Sequence, residues 1–311
     1  MDTGNAQQRT QKGQNLQNLT EDEARAHFER LRWPNGPVCS HCGSINVYRR
    51  DGATGRPGLL ECRDCDRSFT VTVGTVMEDS HLPLATWVRT FHLITCSKKG
   101  ISALQLQRNL GLGSYRTAWH LAHRIREAMR CEPVANLLRG SVQCDETFVN
   151  GKRRKGTGKH KRGRGTSNAP VVALVETGGR VRSAPVQRVN ADTLREAMQN
   201  YIHPSAQIVT DELASYPKAA KGFAGHERVN HSFGQYVNRK GYHTNTAESY
   251  FALLKRGVYG TFHHVSKKHL GRYCDEFSFR WNGRGMSDRE RCDLAIRGIE
   301  GKRLMNRERA G

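Results

Sequence analysis

The chain has 311 residues, with 50 Lys and Arg set against 29 Asp and Glu, a formal net charge of +21 and a sequence pI near 10. That length allows two or three domains, one with a sizeable core, and no apolar run approaches the eighteen or more residues of a membrane span, so no membrane partner is expected. The positive surplus suits nucleic acid, an anionic surface or acidic proteins, and charge alone does not choose among them.

Residues 1–18, rich in Gln, Asn, Thr and Gly, read as a disordered leader with too few apolar groups to offset the entropy of ordering. Thr20, followed by Glu21 and Glu23, predicts an N-cap and an acidic first turn for a helix through Ala24, Phe28 and Leu31 to Trp33-Pro34. Two Cys-x-x-Cys pairs follow, Cys39/Cys42 and Cys62/Cys65, with nineteen residues between them. Two such knuckles supply the four thiolates of a tetrahedral Zn²⁺ site without a large core. Pro37 and Gly43 bracket the first knuckle and Asp64 and Asp66 surround the second. Ile45 to Tyr48 and Gly58 to Glu61 predict strands joined at Gly55-Arg56-Pro57, and Thr70-Val71-Thr72-Val73 alternates like a closing strand. Two disulfides are the alternative, set against by the odd total of nine cysteines and by the lack of a hydrophobic signal segment before the pairs. Cys96, Cys131, Cys144, Cys274 and Cys292 have no ligand spacing. A helix and zinc ribbon over 19–80 tip the choice of polyanion toward nucleic acid.

Over 81–133 the apolar spacing turns helical. Trp87, Phe91 and Ile94 form one stripe, and Ala103, Leu104, Leu106 and Leu110 another. Gly111-Leu112-Gly113 ends the second, and Ser114 caps a longer helix through Trp119, Leu121 and Ile125. The pattern is helix-turn-helix-like, with Arg116, His120, His123 and Arg124 as candidate DNA contacts; an ordinary αα-hairpin with a solvated basic face stays open beside it.

From 134 to 290 the texture is α/β. Ser141 to Val149, Val171 to Val175 and Val181 to Val189 read as strands, Ala191 to Ile202 as an amphipathic helix, and Ile208 to Asp211 as a fourth, parallel strand. Helical stretches follow at Leu213 to Ala220 and Thr246 to Gly257. The loop 151–165 is basic and carries no acid; Arg153, Arg154, Lys161 and Arg162 are its candidate phosphate contacts. Asp145 lies within the first strand and Asp211 ends the fourth. A carboxylate inside an apolar strand is costly unless paired or bound to metal. Asn245 and Glu248 stand one turn apart on the last helix, with Lys255 two turns beyond Glu248 on the same face and Arg256 next to it. Two Asp and one Glu can hold a pair of Mg²⁺ or Mn²⁺ ions about 4 Å apart for phosphodiester chemistry. His263, His264 and His269 either position phosphates or pack beneath the site, and Phe277, Phe279 and Trp281 read as core. Residues 291–311 read as a basic C-terminal tail.

The segments His243-Thr244-Asn245-Thr246-Ala247-Glu248, Lys255 to Ser266 and His269 to Arg284, with Asp145 in Asp-Glu-Thr-Phe-Val and Asp211 in Thr-Asp-Glu, resemble the ISXO-like insertion-sequence transposases. The resemblance runs from about Thr20 to Arg284. It implies a zinc ribbon with structural Zn²⁺ ahead of an RNase H-like mixed sheet with flanking helices, and Asp145 and Asp211 match the first two acids of the family's triad. Its third metal ligand is described as either Glu or Asn. Glu248 is favoured here, because a carboxylate holds Mg²⁺ more tightly than an amide, and Asn245 stays open. The implied activity is cutting of element ends and joining of 3′-hydroxyls to target DNA. Implied with it are duplex DNA as partner (terminal repeats and target), Lys255 and Arg256 on that DNA, a homo-oligomer that pairs two ends, and a prokaryotic cytoplasmic, nucleoid-associated setting. A non-catalytic DNA-binding regulator of transposase descent is the alternative.

Overall fold

A computed structural model of the chain describes residues 15–50, 56–130, 137–149, 168–230 and 237–305. They fall into two units: residues up to Met129 together with those from Met286 onward, and residues Arg130 to Gly285.

The first unit begins with α1 (Glu21–Arg32), started by a full capping box in which Thr20 and Glu23 each bond the other's backbone N–H. A three-stranded antiparallel ribbon follows, β1 (Val47–Arg49), β2 (Leu60–Cys62) and β3 (Ser68–Phe69). Its ladder stops at Leu60 opposite Phe69. Thr70 to Val73, expected as a strand, instead forms a turn in which the Val73 N–H bonds the Thr70 carbonyl. The alternation there reflects one buried side chain, Val71, tucked under a turn. Next come α2 (Leu84–Cys96), α3 (Ala103–Leu110) and α4 (Tyr115–Ala128). Pro83 gives α2 no side-chain cap; the Glu21 carboxylate of α1 accepts from the Leu84 and Ala85 amides instead. Gly111, in the left-handed region at φ 63°, ends α3, and Ser114 caps α4.

In the second unit, β4 (Ser141–Val149), β5 (Ala169–Glu176) and β6 (Val181–Pro185) form an antiparallel meander. Helix α5 (Ala191–Tyr201) crosses to β7 (Gln207–Thr210), which runs parallel to β4, and a short helix α6 (Tyr216–Ala219) leads to β8 (Gly225–Arg228), parallel to β7. The strand order is β6-β5-β4-β7-β8. Apolar side chains cover both faces. One face packs Val171, Ala173 and Val175 against Tyr250, Leu254 and Phe277 of α7 (Asn245–Gly257) and α8 (Leu270–Asn282). The other packs Val142, Cys144, Val172 and Leu174 against Leu194 and Met198 of α5 and Tyr216 of α6. Phe277 and Phe279 are buried, in keeping with their core reading. Gly257 lets α7 and α8 approach closely, since a Cβ there would run into Cζ of Phe277. Past it the α7 backbone loosens into a π-helical turn over Val258–Phe262, and His263 follows with φ 57°.

The stretch read as a basic tail from 291 instead contains most of α9 (Asp288–Arg297), which packs on α1, α2 and α4 within the first unit. Its many charges mask a narrow apolar stripe of Cys292, Ala295 and Ile296, all buried.

Candidate active site

The site follows from strand register. β4 and β7 run parallel, with Ser141 opposite Gln207 and each later pair in step as far as Cys144 opposite Thr210. The next residues on the two chains are Asp145 and Asp211, so two carboxylates 66 positions apart in sequence emerge side by side where the pairing ends. Parallel strands diverge past their last hydrogen bond, and this crevice at the carboxyl ends of the strands is where open α/β sheets place their chemistry.

Carboxylate oxygens of Asp145, Glu146 and Asp211 lie within 4.8 Å of one another. Each is held. The Glu146 N–H donates to Asp145 Oδ1 at 2.7 Å, the Leu213 N–H donates to Asp211 Oδ1 at 3.0 Å, and the buried Tyr216 hydroxyl donates to Glu146 Oε2 at 2.9 Å. Burial, and then the negative charges of Glu146, Asp211 and Glu248, push the Asp145 carboxyl up to about 7, against the opposing bond from the Glu146 amide. Three acids crowded in this way repel one another, and a divalent cation with oxygen preference relieves that repulsion. The donor set therefore fits Mg²⁺ or Mn²⁺.

Helix α7 packs on β4 and β5. Glu248 lies outside the tight cluster but near enough for its charge to act on Asp145. Asn245 and Glu248 are both exposed, one turn apart. Lys255 is half-buried and Arg256 exposed on the same helix. Glu146 carries no signal in the sequence, because the pleat turns it to the opposite face from Asp145, where its carboxylate accepts from the Tyr216 hydroxyl.

In the first unit, the Sγ atoms of Cys39, Cys42, Cys62 and Cys65 also gather within 4.8 Å, with Cys39 to Cys65 at 3.7 Å and Cys42 to Cys62 at 3.6 Å. Four sulfurs at the Zn–S distance of about 2.3 Å from one tetrahedral ion stand about 3.8 Å apart, so the cluster fits Zn²⁺. The two knuckles share one geometry: Gly43 and Asp66, each just after a second cysteine, adopt positive φ of 78° and 52°, and their amides bond the carbonyls of Cys39 and Cys62. Asp tolerates that region better than most residues with a Cβ.

The other residues expected to contact DNA divide. Arg116 is exposed at the start of α4, beside the exposed Tyr115. Arg124, expected on DNA, is buried, and its guanidinium donates to the carbonyls of Glu78 at 2.6 Å and Leu304 at 3.2 Å. His123 is buried too, its ring 4.1 Å from that of Trp119. Both residues belong to the core of the first unit. His263 and His264 are exposed, which removes the reading that they pack beneath the site, and His269 contacts Arg272. Arg153, Arg154, Lys161 and Arg162 lie outside the described residues.

Comparison with known proteins agrees with this geometry. Residues 137–282 match the ISXO2-like transposase domain and residues 19–68 the transposase zinc-ribbon domain, together more than half of the chain. A zinc ribbon joined to a sheet bearing converged acids defines the class, the transposases of insertion elements. Within that class, residues 137–282 carry the ISXO2-like domain. An uncharacterized protein in transposable element ISH50 of Halobacterium salinarum is 29% identical over 275 residues, spanning 84% of this chain and 91% of its own length. A solved structure described as a pre-cleavage Mos1 transpososome aligns over 89% of this chain and 92% of that chain at 12% identity and a TM-score of 0.25, a likeness too slight to carry an argument. No helix among the described residues is long and apolar enough to cross a membrane.

Proposed function

We propose that this chain cuts the ends of its insertion element and joins the freed 3′-hydroxyls to target DNA. The observation that carries the reading is the convergence of Asp145 and Asp211 just past the last pair of the parallel β4–β7 ladder. Asp145, Asp211 and a third donor from α7, Glu248 in preference to Asn245, are the residues that would hold Mg²⁺ or Mn²⁺. Such ions, when bound, activate an attacking oxygen and stabilise a leaving one in phosphodiester transfer. A meander of three antiparallel strands followed by two parallel strands supports the RNase H-like reading.

The protein's own groups orient the reaction. The amides of Glu146 and Leu213 fix one oxygen each of Asp145 and Asp211, leaving the other oxygens for metal. Lys255, two turns along α7 from Glu248, and Arg256 beside it offer cations to the DNA backbone. Arg116 at the capped start of α4, the zinc ribbon and the basic loop 151–165 are the further candidate contacts to terminal-repeat and target DNA. The turn between α3 and α4, with left-handed Gly111 and capping Ser114, suits a helix-turn-helix presenting Tyr115 and Arg116. Pairing two ends calls for a homo-oligomer, and the working place is the prokaryotic cytoplasm, on the nucleoid.

The experiment is in vitro joining of the element's own ends with Mg²⁺. The wild type joins, and Asp145→Asn binds the same DNA but does not join. Binding without joining by the wild type overturns the enzymatic reading and leaves a regulator. In the same assay Glu248→Gln is expected to abolish joining; activity there, with loss in Asn245→Ala, reverses the assignment of the third ligand.

A further inference from the structure

Helix α7 carries Asn245 and Glu248 in its first turn, yet it starts without the usual device. Thr244, at the N-cap position, makes no side-chain cap bond. The first amides of a helix have no partner within it, and a buried helix start left that way is costly. Here the partner comes from the central strand. Gln143 is buried at 1% exposure, two residues before Asp145 and on the same face of β4. Its Oε1 accepts from the Thr246 and Ala247 N–H groups, both at 3.1 Å, the Ala247 N–H being shared with the Thr244 carbonyl at 3.0 Å. Its Nε2 lies 3.1 Å from Thr246 Oγ1, 3.3 Å from Thr177 Oγ1 and 3.4 Å from His243 Nδ1.

Resting on the metal-site reading, we infer that Gln143 is a positioning residue: its side-chain amide caps α7 from β4 and so fixes the distance of the third metal donor from Asp145. Asp145 leaves β4 two residues after Gln143, and Glu248 leaves α7 one residue after Ala247. A single side chain thus ties together the two backbones that carry these acids, within two residues of each. Sliding or fraying of the first turn of α7 would move Asn245 and Glu248 directly, whereas the rest of the helix is held by Tyr250, Phe251 and Leu254 in the apolar core. Capping by a local Thr244 hydroxyl would satisfy the same amides but leave the turn free to shift against the strand. The amide also suits both ends of the task, because only Asn and Gln among neutral side chains accept through an oxygen and donate through a separate NH₂ group.

The test is Mn²⁺ titration of the full-length, zinc-loaded protein, followed by calorimetry, with hydrogen exchange read at individual amides. Gln143→Met keeps the length of the side chain and removes its hydrogen bonds. It is expected to weaken Mn²⁺ binding by roughly tenfold or more, the size of effect known for groups that orient metal ligands. Gln143→Glu keeps the acceptor for the two amides but loses the NH₂ donor, and is expected to leave the Thr246 amide as protected as in the wild type; free exchange there would count against the capping role. In the wild type, the Thr246 amide should be protected like the β4 amides. Unchanged Mn²⁺ affinity in a folded Gln143→Met protein overturns the proposal, and so does free exchange at Thr246, a measurement that stands even if Gln143→Met does not fold. A wild type that binds Mn²⁺ no better than Asp145→Asn would instead sink the metal-site reading itself, which separates the two failures.

Discussion

At the scale of single residues, the site is a place where stability is given up for chemistry. Asp145 is half-buried beside Glu146, Asp211 and Glu248, and its charge is unwelcome there until a cation arrives. Replacing it with Asn removes that repulsion while keeping shape. In Mg²⁺-free buffer at pH 8, Asp145→Asn should therefore unfold at a higher denaturant concentration than the wild type, by on the order of 1 to 3 kcal/mol. Addition of Mg²⁺ should raise the melting temperature of the wild type and not of the variant. A destabilised variant, or one that still responds to Mg²⁺, would contradict the account. Residue identities make Asp145, Asp211 and the four ribbon cysteines legible in the sequence, since few environments explain a carboxylate within an apolar strand or two Cys-x-x-Cys pairs. Gln143 is not legible there: its partners on α7 are about a hundred positions away. Arg124 misleads for the opposite reason, because a basic residue on an amphipathic helix looks solvated until its carbonyl partners are known.

At the scale of elements, apolar patterning announces β4, β5, β7 and α5 because each buries a continuous apolar face. β8 gives no such signal, because Gly225-His226-Glu227-Arg228 is an edge strand with no alternation, held by backbone pairing with β7. The apolar pattern over Val181 to Val189 overruns its strand, which ends at Pro185, a residue that cannot donate to a ladder. The meeting of α7 and α8 shows what a pattern cannot give. Gly257 reads as an ordinary helix end, but the Phe277 ring occupies the space of its missing Cβ. Gly257→Ala should cost about 1 to 3 kcal/mol by overpacking, measured as a lower denaturation midpoint with unchanged m-value. Gly260→Ala, where a Cβ meets nothing within 4 Å, serves as the control and should have little effect.

At the scale of the whole molecule, two kinds of stabilisation divide the chain. The second unit has an apolar core on each face of its sheet, while the ribbon of the first has short strands and a knot of four thiols. Stripping zinc with a thiol-competitive chelator should therefore release the ribbon, whose fold and metal affinity are one equilibrium. The melting transition of the sheet should persist. A ribbon that keeps its amide protection after chelation, or a sheet that melts along with it, would contradict this division. The net charge of +21 belongs to this scale too, since it sets how steeply DNA affinity falls with salt rather than which sequence is read.

The proposed chemistry requires divalent metal between Asp145 on β4 and Asp211 at the end of β7. Anomalous diffraction from crystals of the full chain soaked in Mn²⁺ tests that claim most directly. The account predicts a Mn²⁺ peak in contact with carboxylate oxygens of both Asp145 and Asp211, and a peak elsewhere, with these two acids untouched, would contradict it.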